Sequence, residues 1–353
     1  WLSLWDESVA AEVVRRAPFL LFTAGDPACL PLKTRETVLR ALVAQMLQGE
    51  EIPMLDLSSV TRFAQPDIAA ALRAIWESSQ QHKEVRTFVL RLIWLGSIKD
   101  CADLAADAAL QPIQDNRTSL MAGRALLAAG DDVLRQTYAT HIKRDCTSLP
   151  SSVVWEGVEG LFPQYIGVDD LAEMLTVVHQ RDEMSYGLSS WAIEKLVENL
   201  SSPDDLTRLI GLLLQQLRMG SEDAEGGETE KKIAVAELLA SAAERILELL
   251  PPDSAPAAAI DAVLYLGDRR NHLGLRGTGE IKGAVEGLHQ TPERRRATFW
   301  RAADYFGSSE DLHGRGLVDP LQMQFLGWSP GLGLGDIDWL LIAGPARSVP
   351  NER

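Results

Sequence analysis

Four times the chain ends an apolar, helix-like run with a glycine followed by Asp or Ser. The runs close at Gly25-Asp26, Gly96-Ser97, Gly130-Asp131 and Gly267-Asp268, so the glycines stand 71, 34 and 137 residues apart. Those separations match two, one and four units of about 34–35 residues, a length typical of paired-helix repeats. A glycine can adopt the left-handed conformation that closes a helix. The Asp or Ser after it can cap the free N–H groups of the next helix. A recurring helix–stop–helix unit predicts an α-solenoid, in which each helix pair buries its apolar face against its neighbours. The fold class read from the chain is therefore all-α. A HEAT-like array of helix pairs is expected over residues 1–219, an acidic loop over 220–230, and a smaller helical block with glycine-rich loops over 231–353.

Helical periodicity supports this along most of the chain. Leu39, Leu42, Val43, Met46 and Leu47 share one face at i, i+3, i+4 spacing, as do Ile68, Leu72, Ile75 and Trp76, and Val85, Phe88, Val89, Leu92 and Ile93. Later faces are Leu171, Met174, Leu175 and Val178, then Leu188, Trp191, Leu196 and Leu200. Pro66 suits a first helical turn, and Ser202-Pro203-Asp204-Asp205 reads as a cap, a Pro at the first position and an acidic first turn. Alternating strand patterns are scarce. The stretch from Gly220 to Glu230 carries five acids and no base, so it reads as a solvated loop.

With 353 residues the chain is long enough for a long array or two sizeable cores. Its 50 acids against 34 bases give a net charge of −16, which argues against free nucleic acid as a partner. The three cysteines, Cys29, Cys101 and Cys146, are far apart and form no CxxC pair, so no disulfide framework or zinc site is expected and a reducing compartment fits. No segment has the length of a membrane span. The opening Trp1-Leu2-Ser3-Leu4-Trp5-Asp6 is not a signal peptide, and without an initiator Met the chain reads as cut from something longer. A cytoplasmic location is expected.

The candidate chemical motifs fail on physical grounds. Gly327-Trp328-Ser329-Pro330-Gly331 has the form of a nucleophile elbow, but the oxyanion hole of that motif needs the backbone N–H after the Ser, and Pro330 has none. In that fold a His should also follow the Ser, and the last one here is His313. Gly274-Leu275-Arg276-Gly277-Thr278-Gly279-Glu280-Ile281-Lys282 places Glu280 where a P-loop needs Lys, and its charge would repel phosphate. Gly331-Leu332-Gly333-Leu334-Gly335-Asp336 also lacks a dinucleotide fingerprint. The histidines (His82, His141, His179, His272, His289 and His313) show no metal-ligand spacing. Asp131-Asp132, Asp169-Asp170 and Asp204-Asp205 sit where helices begin and are explained by capping and the helix dipole. No catalytic residue, metal or cofactor is expected.

One electrostatic departure remains. Residues 268–301 hold eight bases and four acids. Arg269, Arg270, Arg294, Arg295, Arg296 and Arg301 are the candidate binding residues, for an acidic partner, a phosphate or the chain's own acidic half. Trp94 and Trp191 lie on apolar faces, whereas Trp1, Trp5, Trp328 and Trp339 lie near the ends and, if exposed, would mark an interface.

Several stretches together carry a family likeness. Trp1-Leu2-Ser3-Leu4-Trp5-Asp6 leads into Ala24-Gly25-Asp26-Pro27 and Leu30-Pro31-Leu32-Lys33-Thr34-Arg35-Glu36, followed by Val38-Leu39-Arg40-Ala41-Leu42-Val43. Glu293-Arg294-Arg295-Arg296 with Phe299-Trp300 follows later, and Asp336-Ile337-Asp338-Trp339-Leu340-Leu341 stands near the end. This resembles the helical region that follows the NTPase module in bacterial NACHT-type STAND proteins, a group that serves in antiphage defence. The likeness covers most of the chain. It implies an NTPase module upstream and an α-helical sensor or scaffold here, in which the C-terminal region recognises a trigger and the NTPase module drives oligomerisation. No family catalytic residue carries over, because the phosphate-binding motif is absent from this chain. Two other readings stay open: a HEAT-like DNA-binding or DNA-repair enzyme, and a stand-alone helical scaffold for protein partners.

Overall fold

The structure is a computed structural model that describes residues 6–23, 26–50, 56–79, 82–111, 115–178, 190–219, 227–269, 281–307, 335–336, 338–339 and 342. Among the described residues every regular element is helical, and no helix is long and apolar enough to cross a membrane. The chain divides into two compact units, 1–166 and 167–353.

The first unit contains α1 (Glu7–Arg16), α2 (Leu20–Thr23), α3 (Leu32–Leu47), α4 (Leu57–Phe63), α5 (Ala69–Ser78), α6 (Lys83–Gly96), α7 (Ala102–Leu110), α8 (Asn116–Ala129), α9 (Asp132–Asp145) and α10 (Ser151–Leu161). Short 3-10 turns at Pro27–Cys29, Pro66–Ile68 and Lys99–Cys101 join some of them. Alternate helices pack together: α4 on α6, α6 on α8 and α8 on α10 form one row, with α3 on α5 and α7 on α9 in a second. The core is built from most of the faces visible in the sequence, although Leu47 at the end of α3 is exposed. Leu39, Leu42, Ile68, Leu72, Val89, Leu92 and Ile93 are all fully buried, and each contributes about 1.5–3 kcal/mol by leaving water.

The helices start where short polar side chains can cap them. Asp56, Asp115 and Asp131 accept from the backbone N–H of Ser59, Thr118 and Leu134, each at 2.9 Å. The serines around Asp56, Ser59 first, hold its carboxyl down at about 2.

The recurring glycines act differently from the expectation. Gly96 is the last residue of α6, but the left-handed residue is Ser97, with φ of 47°. Gly96 is needed for close approach: a Cβ there would lie 2.2 Å from the Ala64 carbonyl oxygen. Gly130 closes α8 in an extended conformation, with φ −68° and ψ 148°. Gly25 lies outside the described residues. Gly267 lies inside a helix of the second unit and ends nothing.

Side chains also tie neighbouring layers of helices together. In the first unit Arg35 reaches Asp67 (2.8 Å), Thr87 meets Thr118 (2.9 Å), Arg124 clasps Glu156 (2.8 and 2.7 Å) and Tyr165 donates to Asp132 (2.6 Å). These pairs are 31 to 33 residues apart.

The second unit contains α11 (Val168–Val178), α12 (Ser190–Glu198), α13 (Pro203–Met219), α14 (Gly227–Leu249), α15 (Ala257–Arg269), α16 (Lys282–His289) and α17 (Pro292–Gly307). The alternate packing recurs: α11 on α13, α13 on α15 and α15 on α17 in one row, α12 on α14 and α14 on α16 in the other. Its cross-layer pairs are more widely spaced, with Arg208 to Asp169 at 39 residues and Arg301 to Asp261 at 40. As the sequence indicated, α13 opens at Pro203, with Ser202 Oγ accepting from the Asp205 N–H at 3.3 Å. The expected acidic loop differs. Gly227–Glu230 form the first turn of α14, residues 220–226 lie outside the described set, and α13 and α14 pack on each other across them. The acidic stretch therefore joins two helices of one unit rather than dividing an array from a second block.

Tyr138 of α9 is buried with its hydroxyl against Gly123 of α8, where a Cβ would lie 2.4 Å from Oη. Gly123→Ala is expected to cost about 1–3 kcal/mol by overpacking, reduced by up to about 1 kcal/mol of helix propensity. In a Tyr138→Phe background, where the nearest ring atom is 3.2 Å from that Cβ, most of the cost should vanish. Urea denaturation of the four proteins tests this, and an equal cost in both backgrounds would show that the hydroxyl is not the obstruction.

Candidate functional site

The arginines singled out in the sequence meet very different environments. On a helix, successive residues are turned by about 100°, so a run of three arginines cannot share one face. Arg294, Thr298 and Ala302 form the inward stripe of α17 and are all buried. Arg294 is 1% exposed. Its Nε donates to the Ser254 carbonyl (2.9 Å), its Nη1 to Gly287 (3.1 Å), and its Nη2 to Leu247 (2.9 Å), Leu250 (3.2 Å) and Pro251 (3.1 Å). These carbonyls cluster at the C-terminal ends of α14 and α16 and the start of the next loop. The last carbonyls of a helix lack partners within it, and this one planar cation supplies them. Burial lowers the Arg294 pKa from the ordinary guanidinium value, with Asp253 opposing. Arg294 is thus a structural clamp and presents no cation to solvent.

Arg35 plays a comparable part in the first unit. It is 5% exposed, donates to the Leu30 carbonyl at 3.1 Å and pairs with Asp67 through both terminal nitrogens at 2.8 and 2.5 Å. Neither clamp was identified from the sequence, yet a signal was present. Arg35 precedes Leu39 and Leu42 at helical spacing, as Arg294 precedes Thr298 and Ala302.

Arg295 and Arg296 converge on one carboxylate. Arg295 Nε donates to Asp336 Oδ2 at 2.8 Å and Arg296 Nε to Oδ1 at 3.3 Å, and the Asp336 side chain is only 2% exposed. Arg296 also lies over the Trp339 ring at 5.1 Å, and Trp339 meets Trp300 edge-on at 5.7 Å. Two stretches more than thirty residues apart are therefore clasped: a cationic, aromatic face of α17 and an Asp-x-x-Trp segment. Arg301 is held to Asp261 of α15 at 2.6 and 2.7 Å, and Arg269 lies 3.7 Å from Asp268. Arg270 lies outside the described residues. The basic excess thus divides into a buried clamp, a clasp and individual ion pairs.

His289 lies beside the clasp. It is 6% exposed, its Nδ1 has no partner, and its carbonyl accepts from Arg295 Nη1 at 3.0 Å. Burial, reinforced by the Arg295 charge, pushes its pKa down to about 4.

Elsewhere, Trp94 is half-buried beneath Arg124, whose guanidinium carbon is 4.8 Å from the ring centroid. Trp1, Trp5 and Trp328 lie outside the described residues, as does the side chain of Trp191. So do the Gly327–Gly331 elbow and nearly all of both glycine-rich stretches. The three cysteines are free, and burial pushes the Cys101 thiol up to about 11. Among the described residues no group of His, Cys, Asp and Glu is arranged to hold a metal ion. No protein-family model, curated protein or solved structure matches the chain.

Two outcomes follow from this geometry. Arg294→Ala should destabilise the chain by at least about 3 kcal/mol, because several buried carbonyls lose a charged donor. Arg294→Lys should rescue little, since an ammonium cannot spread its donors as a guanidinium does. Chemical denaturation measures both, and a neutral Arg294→Lys would refute the clamp. The second outcome concerns pH. His289 has its usual pKa of 6.5 when unfolded and about 4 when folded. Between those values the unfolded state binds more protons. This contribution to stability is complete above pH 6.5 and is lost as pH falls toward 4, by up to about 3 kcal/mol. His289→Gln should flatten the decline between pH 7 and 4.5, and an unchanged slope would contradict the assignment.

Proposed function

We propose that the chain is a non-catalytic recognition module, a HEAT-like solenoid whose paired helices present surfaces to a protein partner. The observation that carries this reading is the alternate-helix packing in both units, tied by side-chain pairs between layers that lie 31 to 33 residues apart in the first unit and 39 to 40 in the second. In such stacks each repeat contacts its neighbours and leaves extended faces for binding. Together with the family likeness in Glu293–Trp300 and Asp336–Trp339, this favours the sensor or scaffold arm of a bacterial NACHT-type NTPase switch, with a role in antiphage defence. The mechanism is differential binding: a partner that prefers one state of the module biases the state of whatever is attached to it.

The engagement of Arg294, Arg295, Arg296 and Arg301 with internal acceptors weighs against the DNA-enzyme alternative, since a phosphate would have to displace those partners. The reading predicts that the purified chain hydrolyses neither ATP nor GTP above background. It also predicts that the reading frame upstream of Trp1 encodes a G-x-x-x-x-G-K-[ST] loop between a strand and a helix. Turnover abolished by substituting one of the chain's own residues would overturn the non-catalytic reading. A start codon just before Trp1, with no such loop, would remove the switch and leave an independent scaffold.

A further inference from the structure

Within the second unit, the clasp between α17 and residues 336–339 has the features of a ligand seated in a site. The face offers two guanidiniums and an indole. The segment supplies one carboxylate, buried between the two cations, and one indole three residues further on, placed against both Trp300 and Arg296. Both groups are short-range determinants that any peptide with the same spacing carries. The segment is joined to the end of α17 through residues 308–334, so its occupancy is an intramolecular event. The electrostatics select for acid: residues 167–353 carry 30 acids and 18 bases, yet this face is cationic and its acceptor is a buried carboxylate.

We propose that the Arg295–Arg296–Trp300 face of α17 is a docking site for a partner protein's acidic–aromatic segment of the form Asp-x-x-Trp, and that residues 336–339 fill it in cis as a built-in competitor. The partner's carboxylate takes the place of Asp336 between the two guanidiniums, and its indole takes the place of Trp339 against Trp300. Displacement of the cis segment couples partner binding to release of the chain's C-terminal portion. The cis segment belongs to the same chain and competes at every partner concentration, so a partner must carry the same two groups to succeed. This deepens the recognition reading above and rests on it, while naming the partner chemistry of one face only.

The test uses a labelled peptide of residues 333–342, titrated into the full chain and followed by fluorescence anisotropy. Weak binding is expected for the native chain, and at least tenfold tighter, salt-sensitive binding for Asp336→Asn and for Trp339→Ala, each of which weakens the cis segment. Adding Arg296→Glu or Trp300→Ala to either variant should abolish it, and a peptide lacking the Asp and Trp should not bind. Circular dichroism melts identify any variant that has failed to fold, and the exposed-side Arg296→Glu change serves if Trp300→Ala does. Equal affinity in the native and weakened chains overturns the proposal. A concentration-dependent dimer dissolved by the peptide also overturns it, by assigning the face to a second copy. Loss of the docking proposal in either way leaves the recognition reading standing, because that reading fails on nucleotide turnover instead.

Discussion

A helix with apolar side chains on more than one side cannot be covered by a single neighbour. α6 is the extreme case. After its first turn, every residue from Val85 to Gly96 is at least partly buried, and it packs on α3, α4, α5, α7 and α8. Burial on this scale requires helices on both flanks and beneath, and helices that follow in sequence meet the need by stacking on alternate neighbours. The same constraint acts on α14, which touches α12, α13, α15 and α16. Each unit is organised around such a helix.

Stacking helices brings their polar ends into the interior, where unpaired carbonyls cost about 1–3 kcal/mol each. Arg35 and Arg294 answer this by the same means, a buried guanidinium that gathers acceptors from several loops at once. Arg294 fixes the ends of α14 and α16 against α17. That fixed frame holds Arg295, Arg296 and Trp300 in register toward Asp336 and Trp339. The clamp and the clasp are therefore consecutive residues of one helix, turned by its pitch to different tasks: one inward to the buried carbonyls, two toward Asp336.

The helices themselves were legible in the sequence, because apolar spacing and caps such as Asp131 and Ser202 are local signals. The glycine that follows several apolar runs was legible as a recurring mark. Its role was not, since the close approach of Gly96 to Ala64 is a tertiary contact invisible in sequence. The division at residue 166 was hidden for the same reason: the acidic run after Gly220 looks like a boundary, but the helices on either side of it pack together. The arginine cluster was visible as composition. Its partition into buried and clasped members depends on where Thr298 and Ala302 point, and on an acid at 336 that only folding brings near.

Hydrogen exchange on the intact chain tests the central claim most directly, namely that α17 carries a recognition face filled in cis. The account predicts that residues 335–339 are protected from exchange, and that excess peptide of residues 333–342 releases that protection while the first turns of α17 stay protected. Protection at 335–339 that does not respond to the peptide, or an absence of protection before it is added, would contradict the account.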